Sequence, residues 1–217
     1  MLGEGRLQRA GDLPAGAFRA RIEGLSAQAR GRALNLLNRN AFPPEDVASL
    51  NATDAGDIYY SCVFPGIHPI AEPAPPAGPS MLASIPVTPF PAALRFHSKP
   101  GSANILFLDF NGTTVTDTSW NIAFGQSIFT PVAFSADSDY ATFNDAEQAT
   151  IKRVWQRVAE DYAEFDIDVT TEEPATFNDR TAHAVITRST DSTGRANPQS
   201  TSGGVAYLDV FAGESLS

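Results

Sequence analysis

The sequence predicts an α/β fold: a mixed, mostly parallel twisted sheet with one long helix, preceded by a small helical region. Residues 105–108 form the continuous apolar run Ile-Leu-Phe-Leu, which is typical of a strand buried on both faces. Asn144 and Glu147 have the spacing of a capping box, which marks the start of a helix. Residues 165–169 alternate apolar and acidic side chains, which predicts a strand with one solvent face. The predicted helix carries an apolar stripe made by Ile151, Val154, Trp155, Val158 and Tyr162.

Two further strands complete the predicted sheet. Residues 184–186 read Ala-Val-Ile, and residues 205–211 follow a pair of glycines. The succession of strand, long insertion, helix and three strands indicates an open, largely parallel sheet, in which 205–211 is the edge strand. We therefore assign residues 101–217 to one domain.

Residues 1–62 form a separate N-terminal region. A helix is predicted there, because apolar residues recur at helical spacing, and we expect Pro43-Pro44 to end it. Its polar face is rich in arginine, and a short strand is expected around residues 58–60. The apolar face comprises Ile22, Leu25, Ala29, Ala33, Leu36 and Leu37, and the polar face comprises Arg19, Arg21, Arg30, Arg32 and Arg39.

Residues 63–100 separate these two parts. Most of the chain's sixteen prolines fall in this stretch, together with many alanines. Proline blocks helices and cannot donate to a sheet ladder, so the sequence predicts an extended Pro/Ala-rich linker that proteases would cut first.

Composition and charge exclude several classes of function. Residues 101–217 carry six Lys and Arg against seventeen Asp and Glu, a charge that repels nucleic acid. No apolar run is long enough to span a bilayer, so we expect no membrane partner. The first twenty residues lack the apolar core of a signal peptide. Cys62 is the only cysteine and cannot form a disulfide within the chain.

The histidines do not have the spacing of a zinc site. The pattern H-E-x-x-H, which places two histidines on one helix face beside a glutamate base, does not occur in this sequence. The three histidines are His68, His97 and His183, and we expect each to be a surface or linker residue. The sequence therefore predicts no catalytic metal site in this chain.

Four segments, in this order, resemble the N-terminal subdomain of metzincin-type, reprolysin-like bacterial zinc metalloproteases. They are residues 105–121, the helix 151–165, the stretch 166–174, and Gly203 to Tyr207. The resemblance covers residues 96–211 and implies an incomplete metzincin upper subdomain. In that family the zinc helix begins shortly after the edge strand, and this chain ends at Ser217 without one.

The resemblance implies a secreted zinc endopeptidase as the parent protein, with this chain inactive as given. It assigns peptide or protein substrate to the edge-strand residues Gly204, Val205, Ala206 and Tyr207. It makes residues 1–62 a pro-region in which Cys62, or alternatively Asp57, would bind the zinc of the parent and keep it latent. The structural alternative for Cys62 is a small buried side chain beside a strand.

Other interpretations stay open. The fragment could be a non-catalytic folding or inhibitory module for a separate catalytic piece. Residues 107–113 also resemble the haloacid-dehalogenase phosphatase motif, with Asp109 as nucleophile, although Asn111 replaces its second aspartate. Asp137, Asp139 and Asp145 could hold Ca²⁺, although an ordinary polar turn is the simpler interpretation. Finally, an uncovered edge strand predicts self-association.

Overall fold

The computed structural model describes residues 1–62 and 87–211, which form two compact units of mixed α/β structure. The first unit comprises residues 1–62 together with Pro198–Asp209, and the second comprises residues 87–197 with 210–211. The predicted domain 101–217 thus contributes residues 198–209 to the N-terminal unit. Residues 63–86 of the predicted linker lie outside the described residues.

Two helices stand where the sequence predicted one. Helix α1 spans Ala17–Gly24 and α2 spans Ala27–Arg39, because Ser26 interrupts the helix and caps α2 by accepting the backbone N–H of Ala29 at 3.2 Å. The predicted apolar face does form the core of this unit. Its buried members are Ile22, Leu25, Ala29, Ala33 and Leu37, with Leu36 partly buried against them.

Short strands complete the first unit. Strands β1 (Leu2–Gly3) and β2 (Ala41–Phe42) pair with each other. Strand β3 (Leu50–Ala52) pairs antiparallel with β4 (Ile58–Cys62), which contains the strand predicted near residue 58. Helix α2 ends before Pro43-Pro44, and Pro44 instead opens a 3₁₀ helix that runs to Ser49.

The second unit is built on a parallel sheet. Strand β5 (Asn104–Asp109) is central, with a minor pair of strands, β6 (Val115–Thr116) and β7 (Ile128–Phe129), and a short helix α3 (Ser119–Phe124) following it. Helix α4 (Asp145–Asp161) then leads to β8 (Ile167–Thr170) and β9 (Thr181–Val185). The strand order is β8-β5-β9, and both pairings are parallel.

Helix α4 packs on one face of this sheet. Asn144 accepts the backbone N–H groups of Ala146 and Glu147, and the Glu147 carboxylate accepts the Asn144 N–H, so the predicted capping box is present. The predicted apolar stripe of α4, from Ile151 to Tyr162, meets alternate residues of β5. The buried members of this core are Leu94, Leu106, Leu108, Phe110, Ala133, Phe143, Ile151 and Val169.

Three expectations were wrong. The segment predicted as the edge of the parallel sheet forms β10 (Gly204–Tyr207), which pairs with β4 in the first unit. The strand after α4 was expected to have one solvent-exposed face, but in β8 the Asp168 side chain is buried and contacts His97 and the Lys99 backbone. Residues 87–100 are not an extended linker, because Thr88 and Leu94 are buried and Phe90 and Phe96 pack against the second core.

Candidate functional site

The predicted substrate-binding strand lies beside the N-terminal strand β4. Strand β10 pairs antiparallel with β4 in the register Gly204↔Cys62 to Tyr207↔Tyr59. The resulting sheet has the order β10-β4-β3, so one edge of β10 is occupied over its whole length and β10 is the terminal strand of that sheet. The predicted binding residues Gly204, Val205, Ala206 and Tyr207 are therefore brought together with the end of the predicted pro-region.

Side chains extend this pairing beyond the main-chain ladder. The rings of Tyr59 and Tyr207 meet edge to face, with centroids 5.8 Å apart and an interplanar angle of 76°. Gln199 Nε2 donates to the Tyr59 hydroxyl at 3.0 Å, and the hydroxyls of Ser61 and Ser202 lie 2.6 Å apart. Burial raises the pKa of Tyr207, so its hydroxyl stays neutral beside β4. These contacts make β10 an integral part of the N-terminal unit.

The two candidate latency ligands differ in their surroundings. Cys62 lies at the end of β4 opposite Gly204 and is exposed, so the buried side chain expected for it was wrong. Asp57 is buried and forms an ion pair with Arg32 at 2.8 Å. It also accepts a hydrogen bond from the Thr53 hydroxyl at 3.2 Å, so its carboxylate holds the β3–β4 turn to α2.

The arginine-rich face of the N-terminal helices is largely neutralised within the unit. Arg19 pairs with Glu23 at 2.8 Å, and Arg21 pairs with Asp54 at 2.6 Å. Together with the Arg32 pair, these contacts leave less free positive charge for an acidic partner than the sequence suggests.

A histidine–aspartate pair lies near the carboxyl end of β5. Asp109 is 3% exposed; one carboxylate oxygen accepts the Asn111 backbone N–H at 3.0 Å and the other lies 2.8 Å from His183 Nε2. His183 is on β9, and its ring clusters with those of Phe107 and Phe177, whose centroids are 5.2 and 5.1 Å from it and 6.1 Å from each other. A buried carboxylate that fixes one ring nitrogen is the usual way to orient a histidine base. In this chain the pair also fastens β5 to β9.

The contacts of Asp109 disfavour a role as a phosphatase nucleophile. Both of its oxygens lie within hydrogen-bond distance of groups of the same unit, and Asn111 has no carboxyl group that could act as the acid and base. The contact with the Asn111 N–H closes the turn after β5.

The acidic turn that could hold Ca²⁺ is occupied by its own hydrogen bonds. Asp137 accepts the Asp139 N–H at 2.9 Å and the Asn144 side-chain amide at 3.0 Å. Asp139 accepts the Ala141 N–H and the Thr142 hydroxyl. These contacts are those of an ordinary polar turn before a helix.

The described residues offer no arrangement that fits a zinc site. Across residues 1–62 and 87–211, no three His, Cys, Asp or Glu side chains lie in an arrangement that could hold a metal ion. His183 binds Asp109, and His97 lies 2.7 Å from Asp168, while His68 lies outside the described residues. His97 and His183 are exposed, as expected of surface residues, and each also pairs with a buried carboxylate, which the sequence did not predict.

Sequence reasoning missed two buried acids. Asp168 was assigned to a solvent face, and Asp191 was not considered, although it is fully buried and accepts the backbone N–H groups of Thr193 and Arg195 at 2.8 and 2.9 Å. Its partners Thr193 and Arg195 follow it at short spacing, which is a local signal for an aspartate-centred turn.

The comparisons with known proteins give no relative: no family model, no curated protein and no solved structure matches this chain. Among the described residues, no helix is both long enough and apolar enough to cross a bilayer.

Proposed function

We propose that this chain is the N-terminal part of a latent, secreted zinc-dependent endopeptidase, in which the N-terminal region covers the strand that binds substrate. The observation that carries the proposal is the antiparallel pairing of β4 along β10. An exposed strand edge accepts an extended peptide through main-chain hydrogen bonds. Here a segment of the same chain makes that interaction, as expected of a pro-region that imitates a bound peptide.

A substrate peptide would have to replace both main-chain and side-chain contacts of this pairing. Four consecutive residue pairs are in register, and the Tyr59–Tyr207 contact buries two aromatic rings. Because β4 is tethered to β10 within one unit, a free peptide meets a competitor at high effective concentration. We therefore expect the edge of β10 that faces β4 to be closed to substrate until β4 is displaced.

The chemistry of peptide hydrolysis would reside outside this chain. The family resemblance implies zinc ligands and a glutamate base beyond the edge strand, and residues 1–62 and 87–211 contain no group of three His, Cys, Asp or Glu side chains that could hold the metal. In the proposal this chain contributes substrate positioning and latency, with Gly204–Tyr207 as the binding strand and Cys62 at the end of the covering strand.

Two alternatives differ in how they relate to this geometry. A separate inhibitory or folding module would use the same β4–β10 pair but would act on a peptidase encoded elsewhere. A phosphatase would need Asp109 free to attack phosphorus, and its hydrogen bonds to His183 and the Asn111 N–H disfavour that role.

The test uses the full reading frame that contains this chain, with a specific protease site inserted between residues 70 and 82. Hydrolysis of a fluorogenic peptide is measured before cleavage, after cleavage, and after residues 1–62 are removed by gel filtration in dilute urea. We expect activity only after removal, and we expect a zinc chelator to abolish it. Full activity before cleavage would contradict latency, and activity that survives the chelator would contradict a zinc enzyme.

A matched arm separates the alternatives. The chain of 217 residues is added to peptidases secreted by the same source, and their rates are measured. Inhibition in trans, combined with a reading frame that encodes no zinc motif, would support the inhibitory module over the endopeptidase. Release of phosphate from p-nitrophenyl phosphate, lost in Asp109→Asn, would support the phosphatase.

A further inference from the structure

Residues 94–99, which we call the strap, run along the outer edge of β8. Ser98 N donates to the Val169 carbonyl at 3.1 Å, and Thr171 N donates to the Phe96 carbonyl at 3.1 Å. Val169 N in turn donates to the Ser98 hydroxyl at 2.8 Å. Since β8 is the terminal strand of the parallel sheet, the strap covers an edge that would otherwise be open.

His97 fastens the strap through both of its ring nitrogens. Nδ1 lies 2.7 Å from Asp168 Oδ2, and Nε2 lies 3.1 Å from Glu172 Oε2. The other oxygen of Asp168 accepts the Lys99 backbone N–H at 2.9 Å, and Arg95 pairs with Glu172 at 3.2 Å. A neutral imidazole donates from one nitrogen only, whereas two carboxylate partners require two donors. The geometry therefore fits the protonated ring.

We propose that His97 is a pH-sensitive clamp, which holds the strap on β8 when its ring is protonated and loosens the strap when the ring loses its proton. Deprotonation removes one of the two donors, so one carboxylate contact is lost and the other loses its charge. The strap would then separate from the outer edge of β8, and that edge would become available to another strand. This regulation is independent of the proposed peptidase activity.

The surrounding charges agree with this direction. Burial alone would lower the pKa of His97, but the hydrogen bonds with Asp168 and Glu172 outweigh it and raise the pKa above its ordinary value. The same contact with His97 lowers the pKa of Glu172. The remaining charged groups nearby are Arg95 and the Lys99–Asp166 pair at 3.1 Å, and arginine, lysine and aspartate keep their charge through the neutral range.

The direction of the pH dependence follows from the difference in the pKa of His97 between the closed and open states. Because the pKa of His97 is raised in the closed state, the clamp is complete below the ordinary histidine value of about 6.5 and is lost as the pH rises through the closed-state value. If the pKa of His97 differs by about one pH unit between the closed and open states, the equilibrium constant for opening the strap changes about tenfold across the titration.

A tryptophan on α4 reports the position of the strap. The rings of Phe96 and Trp155 lie 4.8 Å apart, and Trp155 Nε1 donates to the Val169 carbonyl at 2.9 Å. In a Trp120→Phe background the remaining emission comes from Trp155. We expect its fluorescence to change in one step with a midpoint above pH about 6.5.

Three variants of the full chain test the assignment. His97→Gln should remove the fluorescence step, whereas the control His183→Gln should retain it. Glu172→Gln, at a partly exposed side chain, should shift the midpoint to lower pH while leaving the fold intact. Hydrogen-exchange protection of the Ser98 and Thr171 amides, corrected for the intrinsic pH dependence, should fall across the same range. A step that persists in His97→Gln, or protection that does not change with pH, would overturn the proposal.

Discussion

The pairing of β10 with β4 can be tested by a double-mutant cycle on two tyrosines. Tyr59 and Tyr207 lie directly opposite each other, both about 8% exposed, with ring centroids 5.8 Å apart at 76°. Edge-to-face aromatic pairs at this distance contribute about 0.5–1.5 kcal/mol beyond the burial of their surface. Tyr59→Leu and Tyr207→Leu each keep an apolar side chain, so the unit should still fold and its stability should remain measurable.

We expect each single substitution to lower the free energy of unfolding by about 1–3 kcal/mol, and the double variant to lose less than the sum by about 0.5–1.5 kcal/mol. Urea unfolding followed by circular dichroism gives these values. The cycle of Tyr60→Leu with Tyr207→Leu is the control, because Tyr60 is opposite Ala206 and points to the other face of the sheet. A coupling between Tyr59 and Tyr207 no larger than the control would contradict the contact between these two rings on which the β4–β10 pairing relies.

Three more outcomes are expected. The buried carboxylate of Glu147 accepts hydrogen bonds from the Ala136 and Asn144 N–H groups, and Glu147→Ala removes both. We expect this substitution to lower the free energy of unfolding in urea by about 2–4 kcal/mol. The control Glu160→Ala, on the exposed side of α4, should change it by less than about 0.5 kcal/mol. Burial would raise the pKa of Asp191, but its hydrogen bonds outweigh this effect and lower the pKa. The ionised carboxylate therefore stabilises the fold above pH about 4, and this stabilisation is lost as the pH falls through the lowered pKa. We expect the acid unfolding of Asp191→Asn to be less steep than that of the parent chain. The outer edge of β9 ends the parallel sheet among the described residues, so light scattering should show concentration-dependent association; a monomer at every concentration would contradict this.

Local patterns in the sequence predicted three features of the second unit. The capping box at Asn144, the apolar stripe of α4 and the run at 105–108 depend on residues close in the chain, and each forms the expected element. The break at Ser26 was missed because the apolar spacing continues across it, while the capping preference of a serine competes with continuing the helix.

Contacts between distant residues could not be predicted in the same way. Residues 204–207 have the composition of an edge strand, but composition does not identify the partner, and a short strand pairs wherever an open edge and a buried face coincide. The histidine pairs were missed for a similar reason. Asp109 and His183 are 74 residues apart, and Asp168 and His97 are 71 apart, so no local motif marks either pair.

Two terminal strands, β10 and β8, are each covered along one edge by a segment that precedes them in the chain. In the first unit β4 covers one edge of β10, and in the second unit the strap covers the outer edge of β8. These two covers flank residues 63–86 in the sequence, and each is held within its own unit by main-chain hydrogen bonds and buried side chains. Cleavage between residues 70 and 82 therefore cuts the chain between the covers without releasing either of them.

The nicked chain should consequently stay associated. We expect residues 1–62 to co-elute with the rest of the protein in gel filtration at neutral pH, because β4 and the first core retain residues 198–209. Dilute urea should separate the pieces at a concentration that falls in Tyr207→Leu, since that substitution weakens the contact with Tyr59. Spontaneous separation immediately after cleavage would mean that the covalent link, and not the β4–β10 sheet, keeps the N-terminal region in place. Activation by cleavage alone would then replace the two-step removal expected here.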